Sequence, residues 1–224
     1  SRPPSPRTPL LLLGCAALLP VPAVAQRVSS IVTDASTHDG KPIVGDDQPF
    51  DPEPFLQWPC ILWGANHYAA RLPHGRWLAW NKLGDHQPFG DDFSDVEFAW
   101  QNKRAADRIF SHLWKGMLTA SEKGARRVHP TQKPVALMEW IIKRFKLTAR
   151  TIADYFGGSG STLIAAERNG ITGYLMELDP RFVDVIVKRW QDFTGQKAIH
   201  EATGRTFDEL AETGTKQGAD ANAA

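Results

Sequence analysis

Three glycines within four residues, Gly157, Gly158 and Gly160, separate two short apolar runs, Thr151 to Phe156 and Ile171 to Met176, and the second run ends in Glu177. Glycine permits positive φ and a close backbone approach, so a ligand can lie against the main chain where a helix begins. An acid at the carboxyl end of the following strand is placed to accept hydrogen bonds from a ribose diol. Together these residues describe a strand, a turn, a helix and a second strand that bind a nucleoside. The glycines do not follow the spaced dinucleotide fingerprint, and no Gly-Lys-Ser/Thr follows them, which weakens dinucleotide and triphosphate readings. The structural alternative is a tight strand-to-helix connection that holds no ligand.

Just upstream stands His129-Pro130-Thr131-Gln132-Lys133-Pro134. With it, the chain from about Cys60 to Gly195 resembles an amino-group DNA methyltransferase of the β arrangement, in which His-Pro-Thr-Gln-Lys-Pro precedes a Phe-x-Gly-x-Gly loop. Phe156 to Gly160 matches that loop, and Tyr174 to Pro180 matches the acidic strand end after it. The resemblance implies an α/β fold with a doubly wound, mostly parallel sheet, the Rossmann-like fold of S-adenosylmethionine-dependent methyltransferases. It implies S-adenosylmethionine as cofactor, double-stranded DNA as partner, a cytoplasmic setting, and a mechanism with no metal and no covalent enzyme intermediate. His129, Thr131, Lys133, Asp154, Phe156, Gly158, Gly160, Thr162 and Glu177 would hold the cofactor. The acceptor would be an exocyclic base amine, adenine N6 by family frequency, with cytosine N4 as the other choice.

The same resemblance exposes a departure. The family's Asp-Pro-Pro-Tyr supplies a side-chain oxygen and a proline carbonyl that accept both amine hydrogens. This restores nucleophilicity to a nitrogen lone pair otherwise delocalised into the base, while the aromatic ring stacks on the flipped base. Here Thr33-Asp34 is followed by Ala35-Ser36-Thr37, and no Pro-Pro-Tyr, Pro-Pro-Phe or Pro-Pro-Trp occurs in the 224 residues. Asp34 is left as the catalytic candidate, against an ordinary turn aspartate. A catalytically silent protein that keeps the cofactor and DNA surfaces is the first alternative function. An RNA or small-molecule methyltransferase sharing only the cofactor half is the second, and His129 to Pro134 argues against it.

The elements that must position these residues follow from periodicity and composition. The length suits one domain with a sizeable core. A net charge of +1 places any nucleic-acid surface in a local asymmetry. Two cysteines, Cys15 and Cys60, provide neither a disulfide framework nor a metal quartet. Residues 1–29 look anomalous: Arg2 and Arg7, a Leu/Ala-rich run and Ala23-Val24-Ala25 resemble an export signal, yet a DNA substrate favours an artefactual or foreign segment. The methyltransferase domain is expected over 30–200, with strands at Ser30–Asp34, Cys60–Trp63 and Trp77–Trp80 and a short helix over Gly64–Leu72. Asn66, His67 and Tyr68 fall where a substrate pocket could be lined, with a structural role for His67 as the plainer alternative. Trp58, Trp63, Trp77 and Trp80 are expected in the core.

Residues 84–128 fall where the resemblance implies a recognition insert, and in them an acidic stretch gives way after Gln101 to seven lysines and arginines against Asp107 and Glu122. Lys103, Arg104, Arg108, Arg126 and Arg127 are the candidates for phosphate or base contacts, against an ordinary solvated face. Amphipathic helices are expected over Pro134–Phe145 and from Pro180, the latter burying Phe182, Val185, Ile186, Arg189 and Phe193. A polar, disordered tail is expected over 201–224.

Overall fold

A computed structural model describes residues 24–27, 50–88, 90, 93–116, 118–122, 128–129, 131–145 and 151–213. Asp34 and the strand expected at Ser30–Asp34 lie outside the described residues, as do Arg126, Arg127 and residues 214–224. Among the described residues the main sheet has seven strands: β1 (Val24–Arg27), β2 (Cys60–Trp63), β3 (Arg76–Asn81), β4 (Val96–Gln101), β5 (Arg108–Ser111), β8 (Thr151–Asp154) and β9 (Thr172–Leu175). They lie in the order β5-β3-β4-β2-β1-β8-β9, with β6 (Trp114–Lys115) and β7 (Leu118–Thr119) forming a separate hairpin. Within that sheet β4 pairs antiparallel with β2 and β3, and the other pairs are parallel. The fold is therefore α/β with a doubly wound, mostly parallel sheet. Its order reverses between β1 and β8, and the crevice outside the carboxyl ends of such neighbouring strands is where this architecture binds ligands.

The strands read as they do because both faces are covered. In β2 every residue is buried, with Ile61 and Trp63 in one core cluster and Cys60 and Leu62 in the other. On the first face pack α2 (Val135–Arg144), α3 (Ser161–Asn169) and α4 (Pro180–Thr194), through Met138, Ile141, Leu163, Ile186 and Trp190 among others. On the second lie the single turn α1 (Glu53–Leu56) and a 3-10 segment over Ala65–Arg71, carrying Phe55 and Tyr68. Alternation in β3, where Arg76, Leu78 and Trp80 are buried and their neighbours are not, marks a strand with one covered face.

Several elements differ in detail from their expected form, and others agree with it. Val24–Arg27, within the stretch read as anomalous, is a central strand held between β2 and β8. β4 and β5 fall inside the expected recognition insert, yet both belong to the main sheet. The helix over Gly64–Leu72 is 3-10 and kinks at Tyr68. Trp63 and Trp80 are core residues in edge-to-face contact at 6.4 Å, whereas Trp58 is exposed. In α4 the buried tryptophan is Trp190, and Phe193 points outward. Residues 207–213, assigned to the polar tail, are helical, and Phe207 packs against the core. Asp179 caps α4 by accepting from the Arg181 N–H at 2.9 Å, with Pro180 in the first turn, as that sequence pair predicts. Among the described residues no helix is long and apolar enough to cross a membrane.

Candidate active site

The glycine turn sits at the carboxyl end of β8, and its backbone bonds partly to itself and partly to the segment that follows β9. The Gly157 N–H donates to the Met176 carbonyl at 2.8 Å and the Gly160 N–H to the Gly157 carbonyl at 2.8 Å. Gly160 has φ 78°, and a Cβ there would lie 3.2 Å from Ile186 Cγ2, so both backbone angle and packing select glycine. A Cβ on Gly157 would meet Ile186 Cδ1 at 2.8 Å. Helix α3 starts directly after Gly160 without a side-chain cap, which leaves its first-turn N–H groups available to a ligand.

Asp154 is buried and organises the turn: Oδ1 accepts from the Phe156 N–H at 3.0 Å and Oδ2 from Thr162 Oγ1 at 2.6 Å. Glu177, at the end of the next strand, accepts from the Gly158 N–H at 2.7 Å and from the Asp179 N–H at 2.9 Å. Each carboxylate oxygen has lone pairs beyond the one so used, so Glu177 can still receive hydroxyl groups.

His129 and Lys133 arrive from the segment before α2 and close the opposite wall. The buried His129 ring accepts at Nδ1 from the Thr131 N–H at 3.2 Å, packs at a tilt on Phe182 with 4.1 Å between ring centroids, and faces Gly158. Ser161 Oγ donates to the Lys133 carbonyl at 2.6 Å, tying the start of α3 to this segment. The resulting cavity is lined by His129, Thr131, Lys133, Asp154, Phe156, Gly158 and Thr162 of the residues expected from sequence. Glu177 adjoins it through Gly158, while Gly160 lies behind, against Ile186. Sequence reasoning missed Gln132, Met138, Ser159 and Ser161 in the lining. Gln132 could have been found, since it lies inside the His129–Pro134 motif; Met138 could not, because helical periodicity marks it only as core.

The Lys133 ammonium does not point into open space. It pairs with Glu97 at 3.1 Å, and Lys82 approaches the same side chain at 3.6 Å. Burial pushes the Glu97 carboxyl up, but the two ammonium groups outweigh it and hold it below the ordinary glutamate value. A carboxylate depressed in the folded state contributes stability above its unfolded pKa of about 4.3, and that contribution is lost as pH falls through the folded value. Glu97→Gln should therefore flatten the acid limb of a stability curve below about pH 4.5. Chemical denaturation at a series of pH values checks this, and an unchanged acid limb would remove Glu97 from the account.

Asn66 and His67 follow β2 at the same sheet edge, both exposed, with 3.3 Å between Asn66 Nδ2 and His67 Nε2. Tyr68 is buried and donates to the Trp63 carbonyl at 2.9 Å, so it supports the edge and does not line it. Phe50 packs on Tyr68 at 4.9 Å and edge-on to Phe156 at 5.9 Å, giving the mouth an aromatic wall.

The basic candidates separate into two groups. Because β4 runs against its neighbours, Gln101 pairs with Arg76 and Ile61 at the start of β3 and β2. Lys103 and Arg104 thus lie at the amino edge of the sheet, and Arg108 opens β5 from that side. Strands of four to six residues put that edge about 13–20 Å from the turn at Asp154. Lys115 is buried and paired with Asp95, which removes it from the surface charge. Arg126 and Arg127 lie outside the described residues, but the positions flanking 123–127 are at the site. The Gln132 side-chain amide donates to Glu122 Oε2 at 3.1 Å and accepts from the Val128 N–H at 3.1 Å.

No curated protein matches the chain. Among solved structures, the M1.HpyAVI–SAM complex shares 18% identity at a TM-score of 0.44, covering 75% of this chain and 88% of its own. PvuII DNA methyltransferase, described as cytosine-N4-specific, shares 12% identity at a TM-score of 0.48, covering 77% of this chain and 81% of its own. The family model for DNA methylases of the N6/N4 type matches residues 61–188, more than half of the chain and all of the glycine turn, the His129–Pro134 segment and Glu177. The chain belongs to the N6/N4 DNA methylase family.

Proposed function

We propose that this chain binds S-adenosylmethionine in the cavity between the glycine turn and the His129–Lys133 segment, and duplex DNA beside it, as a DNA amino-methyltransferase. The observation that supports this most is the convergence of an uncapped helix start and a glycine turn on one cavity at the topological switch of the sheet, with the Glu177 carboxylate beside it on the Gly158 N–H. The donor set fits the cofactor: Glu177 for a ribose diol, the first N–H groups of α3 for a carboxylate, and Phe156 for an adenine ring. S-adenosylmethionine, when bound, supplies an electrophilic methyl on a sulfonium. The chain's own part is to orient the ligand, exclude water with Phe50 and Phe156, and hold the turn rigid through Asp154 and Thr162.

Adenine N6 is the proposed acceptor, and the protein works in the cytoplasm, where cofactor and DNA meet. Calorimetry with S-adenosylhomocysteine tests the cofactor reading, and absence of binding would overturn it. A silent binding protein is the second reading, favoured by Ala35-Ser36-Thr37 standing where the family has Pro-Pro-Tyr.

For DNA, the stretch 123–127 is the proposed contact because its flanks are tied to Gln132 at the cavity. Replacing Arg126 and Arg127 by Ala should flatten the salt slope of duplex binding by roughly one unit for each phosphate that is no longer neutralised. Lys103→Ala with Arg104→Ala, at the far edge, should leave it unchanged. The reverse result in a salt titration would move the DNA surface to the amino edge of the sheet.

A further inference from the structure

Behind the glycine turn, 67 residues apart in sequence, Glu122 and Arg189 meet. Among the described residues Glu122 is the only non-glycine residue with positive φ, at 56°, a conformation a glutamate keeps only when its surroundings impose it. Those surroundings are specific. Oε1 accepts from the Val135 N–H at 2.8 Å, the first N–H of α2, and so caps that helix from a distant segment. Oε2 accepts from Gln132 Nε2 at 3.1 Å and faces an Arg189 terminal nitrogen at 3.6 Å. The other terminal nitrogen of Arg189 donates to the Ser159 carbonyl. That carbonyl belongs to the peptide whose N–H, on Gly160, donates to the Gly157 carbonyl. One peptide plane of the turn is therefore gripped at both ends, and it is the plane that sets Gly160 in its left-handed conformation and starts α3.

Burial lowers the Arg189 pKa while Glu122 opposes the shift, so the carboxylate offsets the cost of keeping a guanidinium half-buried against the turn. We propose that Arg189 and Glu122 are positioning residues for the cofactor turn. Arg189 clamps the Ser159–Gly160 peptide, and Glu122 orients and neutralises Arg189 while locking the segment before α2 to the same point. This rests on the cavity being the cofactor site. Neither residue touches the ligand; both act through the backbone that does.

The test uses the full chain and three variants: Arg189→Met, Arg189→Lys and Glu122→Gln. Amide hydrogen exchange over residues 157–162, without ligand, reads the clamp directly, and calorimetry with S-adenosylhomocysteine reads its consequence. Arg189→Met should speed exchange of the turn and weaken S-adenosylhomocysteine by about tenfold, with Arg189→Lys recovering part of both. Glu122→Gln can keep an acceptor for the Val135 N–H but puts an amide donor where Oε2 accepts from Gln132 and faces Arg189, so it should loosen the turn without unfolding α2 and serves if Arg189→Met does not fold. A fourth variant combining Arg189→Met with Glu122→Gln should lose less than the sum of the two single losses, because the orienting part of the Glu122 role acts through Arg189. Unchanged turn exchange in a folded Arg189→Met or Glu122→Gln protein would overturn the proposal, as would fully additive losses. If the parent does not bind S-adenosylhomocysteine but the turn still loosens in the variants, the cofactor reading fails and the clamp on the turn stands.

Discussion

Tritiated methyl incorporation into unmethylated duplex DNA by this chain should fall at least about 10²- to 10³-fold below that of a variant carrying Ala35→Pro, Ser36→Pro and Thr37→Tyr. Transfer to an exocyclic amine requires that both amine hydrogens be accepted, so that the nitrogen lone pair leaves conjugation with the ring. Asp34 can supply one acceptor, but a backbone carbonyl locked by proline and a ring to stack on the flipped base are absent from the three positions after it. One missing preorganised polar contact costs about 10²- to 10³-fold in rate, and here the stacking ring is missing as well. The parallel pairing of β1 with β8 brings the carboxyl end of β1 to the switch point near Asp154, while Asp34 itself lies outside the described residues. Binding of S-adenosylhomocysteine should be equal in the two proteins, which separates the loss of chemistry from the loss of cofactor. Vigorous incorporation by the unaltered chain would mean that other residues accept the amine hydrogens, and the silent-protein reading would fall.

Glu177→Ala should weaken S-adenosylhomocysteine by roughly tenfold to a hundredfold, equivalent to about 1.5 to 3 kcal/mol for hydrogen bonds to a charged acceptor. Two effects share that loss. The ribose would lose its acceptor, and the Gly158 and Asp179 N–H groups would lose theirs, at 2.7 and 2.9 Å. Glu177→Gln separates the effects, since its one carbonyl oxygen can serve only part of this set. It should fall between the parent and Glu177→Ala in calorimetry. Equal affinity of Glu177→Ala and the parent would remove Glu177 from the site and return it to a purely structural support of the turn.

The local parts of this protein were legible because their causes are local. Three glycines in four residues mark a turn that favours glycine, and Gly158 and Gly160 do take positive φ, with Gly157 and Gly160 close enough to Ile186 that an added Cβ would crowd it. Helical spacing placed Met138 and Ile141 on the buried side of α2, and Asp179-Pro180 marked the start of α4. The motifs at His129–Pro134 and Phe156–Gly160 named most of the cavity wall, because a ligand held by backbone and short side chains leaves a fixed local spelling.

Tertiary structure decided the rest. The reversal of β4 carries Lys103 and Arg104 to the edge opposite the cavity, and charge counting along a chain contains no strand direction. Lys133 is read in sequence as a residue of the cofactor motif and Lys115 as one of a basic run, and neither reading contains the pairing with Glu97 and Asp95 that permits their burial. Glu122 counted in sequence only as a negative charge in a basic stretch, and Arg189 only as a residue on a helix face. Their meeting behind Ser159 depends on α2 and α4 packing on the same side of the sheet, a long-range arrangement that no spacing of residues along the chain encodes.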